Sequence, residues 1–231
     1  MNSLNEENYL KALLNLANAS GEVNVKDLSE HLGIKMPSVT SMMKKMSEKG
    51  WVNYASYKPL KLTQLGSKEA ALILRKHRLT EMFLVDKMGF RWDEVHDIAE
   101  QIEHVKAPEF FAKMDELLGY PKFDPHGSPI PDKNGKMIWA SWAKLIECGM
   151  GDLVKIVAVT KSSEEFLKFL NSREISLGLE MKIESTEFFD KSMVVSYGNR
   201  KNETLGQTVC ERLLVSVVEK KSNDFFDGKD C

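Results

Sequence analysis

Apolar residues recur with helical spacing in three short segments at the start of the chain. The first segment ends near Gly21. The second covers residues 25–32 and stops at Gly33, and the third runs from Met36 to Gly50, with a proline in its tolerated first turn. Two short helices joined at a glycine-containing turn are typical of a helix-turn-helix.

The pattern changes after Gly50 to alternating aromatic, β-branched and polar residues. This alternation runs from Trp51 to Thr63 and is interrupted by the turn-like sequence Tyr57–Lys58–Pro59. It predicts a two-stranded wing behind the helix-turn-helix. The first predicted domain therefore covers residues 1–63.

The middle of the chain returns to helical spacing. One long helix is predicted from Gln64 to about Met88, a second beginning at Trp92, and a third from Glu109 to Leu118. These helices carry enough apolar surface for a dimer interface. They define a helical domain at 64–120, followed by a Pro-, Gly- and Asp-rich linker at 121–147.

The last third of the chain favours short strands. We expect strands at 152–159, 180–183, 193–196 and 213–218, with one helical turn at 166–170. Several short strands with one helix suit a small barrel at 148–220, before a charged tail at 221–231. The predicted fold class is thus mainly α with a small β barrel.

Composition limits the classes of function without choosing one. The 231 residues are 42% hydrophobic and 29% charged with a net charge of -2, which is typical of a globular protein and not of one that coats nucleic acid. No apolar run approaches the roughly 18 residues that span a bilayer, and the start lacks a secretory pattern. We expect a cytoplasmic protein without membrane contact, whose cysteines (148, 210 and 231) are thiols without a ligand role.

Positive charge is concentrated where a helix-turn-helix protein would meet phosphates. Residues 35–61 contain six lysines against one acid, Glu48. The N-terminal end of a recognition helix contacts base edges, and the tip here has no Arg, Asn or Gln, so base readout should be modest. A solvated face is the alternative. The predicted contacts to double-stranded DNA are Lys35, Pro37, Ser38, Thr40, Ser41, Lys44, Lys45 and Lys58.

Two groups of metal-ligand residue types lie in the helical domain. Glu100, Glu103 and His104 stand at i, i+3 and i+4, which places them on one helix face. About twenty residues earlier, His77 and Glu81 form an i, i+4 pair. Carboxylates and imidazoles bind first-row divalent ions, so both groups indicate metal binding. A solvated face remains the alternative for the first group, and a hydrogen-bonded pair for the second.

Several motifs together resemble the diphtheria-toxin-repressor family, including its manganese-transport-regulator branch. The motifs are Pro37–Thr40, Leu62–Thr63 with Gly66, Arg75–Glu81, Val95–Asp97, Glu103–His104 and Gly127–Pro131. The resemblance covers nearly the whole chain. It implies a homodimeric, metal-activated transcriptional repressor with a C-terminal SH3-like (FeoA-like) domain, which binds its operator when Mn(II), or alternatively Fe(II), is loaded.

The resemblance also assigns site residues. Glu100, Glu103 and His104 match the regulatory metal positions, and a carboxylate rather than the iron branch's cysteine at position 100 suits Mn(II). Asn8 stands where the first helix normally supplies Met or Asp, and Lys11 stands where some manganese regulators have an acid. Glu7 is expected to point about 100° away. The implied ligands of a second site are His77, Glu81, Asp124, His126, His96 and Glu165.

The last group has alternatives. An Asp-Pro-x-Gly turn would explain Asp124 and His126, backbone bonding at a helix start would explain His96, and a favourable first-turn charge would explain Glu165. A winged-helix regulator that senses a non-metal effector is the alternative function. A metallohydrolase is disfavoured because no nucleophile motif or phosphate loop accompanies the carboxylates, so we expect no enzyme and no small-molecule substrate.

Overall fold

A computed structural model describes residues 3–138 and 141–220 of the chain. These residues form two compact units: residues 3–125 with 129–138, and residues 126–128 with 141–220. The structure confirms the predicted fold class, since the first unit is dominated by helices and the second by an antiparallel sheet. Within the described residues, no helix is both long and apolar enough to cross a bilayer.

The first unit begins with the predicted helix-turn-helix. Helix α1 (Leu4–Leu16) starts at a capping box, in which Ser3 and Glu6 each accept from the other's backbone N–H. Helix α2 (Val25–Leu32) ends at Gly33, whose φ of 64° is the left-handed conformation that glycine adopts without strain. Helix α3 (Met36–Glu48) corresponds to the predicted recognition helix.

The wing has one more strand than expected. Strands β2 (Val52–Asn53) and β3 (Leu60–Leu62) form the predicted pair, and β1 (Glu22–Val23) adds to the other edge of β3. Two residues are too few for an alternating pattern to show, so sequence periodicity could not reveal β1. Leu10, Leu13, Leu28, Met43 and Leu60 are fully buried and unite these elements around one core.

Helices α4 (Gln64–Met88), α5 (His96–Ile102) and α6 (Pro108–Leu117) complete the first unit. The hydroxyl of Thr63 caps α4 by accepting from the Gly66 N–H at 3.0 Å. The expectation that the second helix begins at Trp92 is wrong, because residues 92–95 form turns before α5. The long α4 packs against both α1 and α5, which places the candidate ligands of all three helices side by side.

The second unit is a six-stranded antiparallel sheet with two helices. In spatial order it contains β4 (Ala143–Lys144), β9 (Leu213–Glu219), β5 (Leu153–Val159), β6 (Glu180–Thr186), β7 (Met193–Tyr197) and β8 (Arg200–Leu205). A 3-10 turn (Leu145–Glu147) follows β4, α7 (Glu164–Ser172) follows β5 and α8 (Gln207–Arg212) precedes β9.

The four predicted strands correspond to β5, β6, β7 and β9, and the predicted helical turn to α7. Strand β8 was not predicted, because its sequence RKNETL is almost entirely polar. It lies at the edge of the sheet, where charged side chains can face solvent and discourage pairing with another chain. The predicted tail at 221–231 lies outside the described residues.

Candidate metal centre

His77 lies at the centre of an ionic cluster that also contains Lys11, Glu81, His96, Glu100 and Glu103. Its Nδ1 is 2.7 Å from Glu103 Oε2 and its Nε2 is 3.0 Å from Glu81 Oε1. Burial by itself would lower the pKa of His77, but the hydrogen bonds to Glu103 and Glu81 outweigh it and raise the pKa to about 9. The imidazole is therefore protonated at neutral pH and donates to both carboxylates.

Lys11 from α1 is the second cation in this cluster. Its Nζ is 2.5 Å from Glu100 Oε1 and 2.7 and 2.8 Å from the two carboxylate oxygens of Glu103. The side chain of Glu103 is fully buried, and that of Lys11 is 11% exposed. Burial alone would raise the pKa of Glu100, but the hydrogen bond and charge of Lys11 lower it.

His104 contacts Glu7 of α1 and also lies near Glu103. Its Nδ1 is 2.7 Å from Glu7 Oε2, and its Nε2 is 3.6 Å from Glu103 Oε1. The expectation that Glu7 points away is therefore wrong. Glu103 and His104 follow the last residue of α5, and His104 there reaches the α1 face that carries Glu7. Sequence reasoning missed Glu7 and Lys11 as members of the site, because partners about ninety positions apart leave no local signal.

Asn8 Oδ1 is buried and has no hydrogen-bond partner among the residues that the structure describes. A buried carbonyl oxygen without a donor is costly, and a cation or a water molecule can satisfy it. Asn8 thus keeps an available oxygen on α1, one turn before Lys11.

His96 approaches the cluster from the first turn of α5. Its Nδ1 is 3.4 Å from Glu81 Oε1, its Nε2 is 3.6 Å from Glu100 Oε1, and its ring stands edge-to-face on His77 at 5.0 Å. Within the first unit, two sets of ligand atoms lie within 4.8 Å of one another: His77, Glu81 and His96, and His77, Glu100 and Glu103. His77 belongs to both sets.

These two sets differ in how well a divalent ion fits them. His77, Glu81 and His96 offer two imidazoles and a carboxylate in close proximity, a suitable mixed N and O donor set. In the other set, the carboxylate oxygens of Glu100 and Glu103 already accept from the ammonium of Lys11. A divalent ion therefore fits the first set once His77 releases the proton that it donates to Glu81, and fits the second only if Lys11 moves.

The three remaining predicted ligands are Asp124, His126 and Glu165. Asp124 is buried, with its Oδ2 3.4 Å from Arg78 Nε. His126 is buried in the second unit, where its carbonyl accepts from the Val159 N–H, and a turn occupies residues 125–126. Glu165 is exposed in the first turn of α7, where its own N–H and the Ser163 hydroxyl lower its pKa. Their roles as ligands stay predictions.

The predicted DNA contacts lie on the surface of α3 and the wing. All are exposed except Thr40, which is half-buried. Lys45 has an intramolecular partner, because its Nζ is 3.0 Å from Glu6 Oε1, and Lys49 Nζ is 2.6 Å from the same oxygen. Glu6 thus connects α1 to the recognition helix, five residues before Lys11 of the ionic cluster. The tip of the wing adds Tyr57, which is fully exposed and was not among the predicted contacts.

Two family models match the chain. The first, "Iron dependent repressor, N-terminal DNA binding domain", matches residues 1–60. The second, "Iron dependent repressor, metal binding and dimerisation domain", matches residues 63–132. The matched segments contain α1 to α6 and the whole ionic cluster.

Curated relatives include two repressors. The iron-dependent repressor IdeR of Mycobacterium tuberculosis is 33% identical over 125 residues, which are 54% of this chain and 54% of that protein. The chain thus spans about half the length of such relatives. The diphtheria toxin repressor of Corynebacterium diphtheriae is 28% identical over 188 residues, which are 77% of this chain and 83% of that protein.

Solved structures match over nearly the full length. A manganese-dependent transcriptional repressor in complex with manganese is 30% identical with a TM-score of 0.82, and the match covers 92% of this chain and 99% of that one. The repressor ScaR with bound Zn2+ is 28% identical with a TM-score of 0.76, and covers 91% and 98%. Both sequence and architecture therefore agree with those of metal-responsive repressors.

Proposed function

The chain belongs to the diphtheria-toxin-repressor family of iron-dependent repressors, and from this premise we propose that it is a metal-activated transcriptional repressor of metal uptake or homeostasis. It would bind a double-stranded DNA operator as a homodimer in the cytoplasm, where the operator is. In this proposal it has no catalytic role and no small-molecule substrate.

One observation supports metal sensing above the others. The donor set His77, Glu81 and His96 is linked through His77 to α1, the helix that begins the DNA-binding domain. Its Nε2 faces Glu81, while its Nδ1 holds Glu103, which in turn holds Lys11 of α1. A change at one ring nitrogen therefore alters the hydrogen bond that the other nitrogen makes toward α1.

A divalent ion held by His77, Glu81 and His96 would supply a fixed positive charge between α4 and α5. The residues of the chain would then transmit the change. His77 would give up the proton that it donates to Glu81, and Glu103 and Lys11 would adjust around it. Glu6 pairs with Lys45 in the recognition helix and with Lys49 directly after it, so a shift of α1 would move both lysines. The ion need only favour the arrangement competent for DNA binding.

Charge and exposed surface support the two macromolecular partners. Lys35, Lys44 and Lys58 are exposed on α3 and the wing, where phosphates would lie. For the homodimer, the helical part of the first unit exposes large apolar side chains, which mark protein interfaces when they cluster. These are Leu65, Met88, Val105, Phe110, Leu117 and Tyr120.

Mn(II) is the ion that we propose first, with Fe(II) as the alternative. The cluster contains carboxylates and imidazoles and no cysteine, and hard oxygen ligands suit Mn(II). Solved relatives described as manganese-dependent support the same choice, although ScaR structures also hold Zn2+ and Cd2+. A winged-helix regulator of a non-metal effector is the second candidate.

Operator binding by the chelator-stripped full-length chain tests this proposal. Mn(II) should raise operator affinity at least about tenfold, which corresponds to about 1.4 kcal/mol of coupling. The double variant Glu81→Gln/His96→Ala should lose the response, whereas Glu116→Gln on the exposed face of α6 should keep it. An affinity that Mn(II), Fe(II) and Zn(II) all leave unchanged would favour the non-metal effector.

A further inference from the structure

Lys11 occupies the position between Glu100 and Glu103 in which a regulatory metal ion was expected from the sequence. An ammonium group has three N–H donors, and Lys11 has three carboxylate oxygens within 2.5–2.8 Å: one from Glu100 and both from Glu103. All three donors are thus directed at the oxygens that would ligate an ion.

Glu103 has little capacity for a second cation. Its Oε1 accepts from Lys11, and its Oε2 accepts from both Lys11 and His77. Its side chain has no exposure to solvent. An ion could bind these oxygens only by displacing the ammonium of Lys11, which would then need another partner in buried surroundings, and an unpaired buried charge is costly.

We propose that Lys11 is a built-in cation that takes the place of a metal ion between Glu100 and Glu103. The contact between α1 and the end of α5 then exists without metal, and each protomer binds one regulatory ion, at a site that includes His77, Glu81 and His96. This rests on the proposed function for its biological meaning, but the role of Lys11 can be tested without DNA.

The test is the number of Mn(II) ions bound per protomer, measured by equilibrium dialysis of the full-length chain against MnCl2 with metal analysis. Wild type should bind one ion. Lys11→Gln, which keeps the length of the side chain and removes its charge, should bind two. Lys11→Arg should bind one, and the control Lys168→Gln, which breaks an exposed Lys–Glu pair in the second unit, should also bind one.

Combining Lys11→Gln with Glu81→Gln/His96→Ala identifies the position of the extra ion. In the wild-type background the double change should abolish Mn(II) binding. In the Lys11→Gln background it should leave one ion, held at the Glu100–Glu103 pair. Two ions in wild type, or one in both wild type and Lys11→Gln, would overturn the proposal.

Thermal unfolding gives a second readout. In chelator, Lys11→Gln leaves two neighbouring carboxylates without their cation, so its Tm should fall by about 5 to 10 °C below that of wild type. Saturating Mn(II) should restore most of that loss, and Lys168→Gln should stay near the wild-type Tm. A Lys11→Gln variant as stable as wild type in chelator would contradict the proposal.

If Lys11→Gln does not fold, the numbers of Mn(II) ions bound by wild type and by Glu81→Gln/His96→Ala still test the proposal. One ion still bound by Glu81→Gln/His96→Ala would show that Mn(II) displaces Lys11, and this result would contradict the proposal. Failure of the proposed function looks different: wild type then binds no Mn(II), or binds one that leaves operator affinity unchanged, while the count for Lys11→Gln still answers the question about Lys11.

Discussion

Burial at single residues decides which ionisable groups of this chain can react and which cannot. His77 has two carboxylate partners, so it carries a proton and a positive charge in spite of its burial. A buried group without a charged partner stays in its neutral form instead. Cys210 is the clearest example of the second kind. It is fully buried in α8, and burial raises the pKa of its thiol to about 12.

Cys210 should therefore be almost inert toward thiol reagents in the native protein. In a Cys148→Ser/Cys231→Ser variant, its reaction with Ellman's reagent at pH 8 should be at least about a hundredfold slower than in urea, because the thiolate is rare and inaccessible. The half-buried Cys148, left alone in a Cys210→Ser/Cys231→Ser variant, should react faster. Equal native rates for the two thiols would contradict the burial of Cys210.

Among the helices and strands, the spacing of apolar residues predicted the long segments correctly and missed the short or polar ones. The structure confirms the prediction of α4 from Gln64 to Met88. The prediction was possible because a helix of 25 residues repeats its apolar positions over many turns. Strands β1, β4 and β8 were missed, since the first two are each two residues long and the third is polar. Tertiary pairing, not local preference, makes all three of them strands.

The same distinction applies to the candidate site. The spacing of Glu100 and Glu103 at the end of α5, and of His77 and Glu81 on α4, was visible in the sequence, and the structure brings these four residues together. The ion pairs of Lys11 were not visible in the sequence, because they depend on how α1 packs against α4 and on where α5 ends. The departure from the family pattern at position 11 was apparent, but its consequence required the structure.

The junction of α4 with the wing depends on one glycine. A Cβ added at Gly66 would lie 2.0 Å from the carbonyl oxygen of Trp51, so the helix start or the wing strand would have to shift. Gly66→Ala should destabilise the chain by about 2 to 3 kcal/mol in urea unfolding, as overpacking does in well-packed cores. Gly149→Ala, where the new Cβ would meet an ordinary 3.6 Å contact, should be nearly neutral. Similar losses for both variants would refute a steric role of Gly66.

For the whole molecule, a net charge of -2 means that DNA affinity has to come from the distribution of charge and not from its sum. The positive charge is concentrated on α3 and the wing, and Glu6 neutralises part of it by pairing with Lys45 and Lys49. Exposed lysines without such a buried acid beside them should therefore contribute more to phosphate binding than Lys45 does.

The salt dependence of operator affinity measures that contribution. A homodimer presents each lysine twice, so Lys44→Gln should reduce the slope of log K against log salt by about 2, as expected when two phosphate contacts and their released counterions are lost. Lys45→Gln should reduce it less, because Lys45 already pairs with Glu6. Lys182→Gln, which removes an exposed lysine paired with Glu184 in the second unit, is the matched control and should leave the slope unchanged. If Lys44→Gln and Lys182→Gln gave the same slope, the exposed face of α3 would not be the DNA-binding surface, and the orientation of the chain on its operator would have to be sought elsewhere.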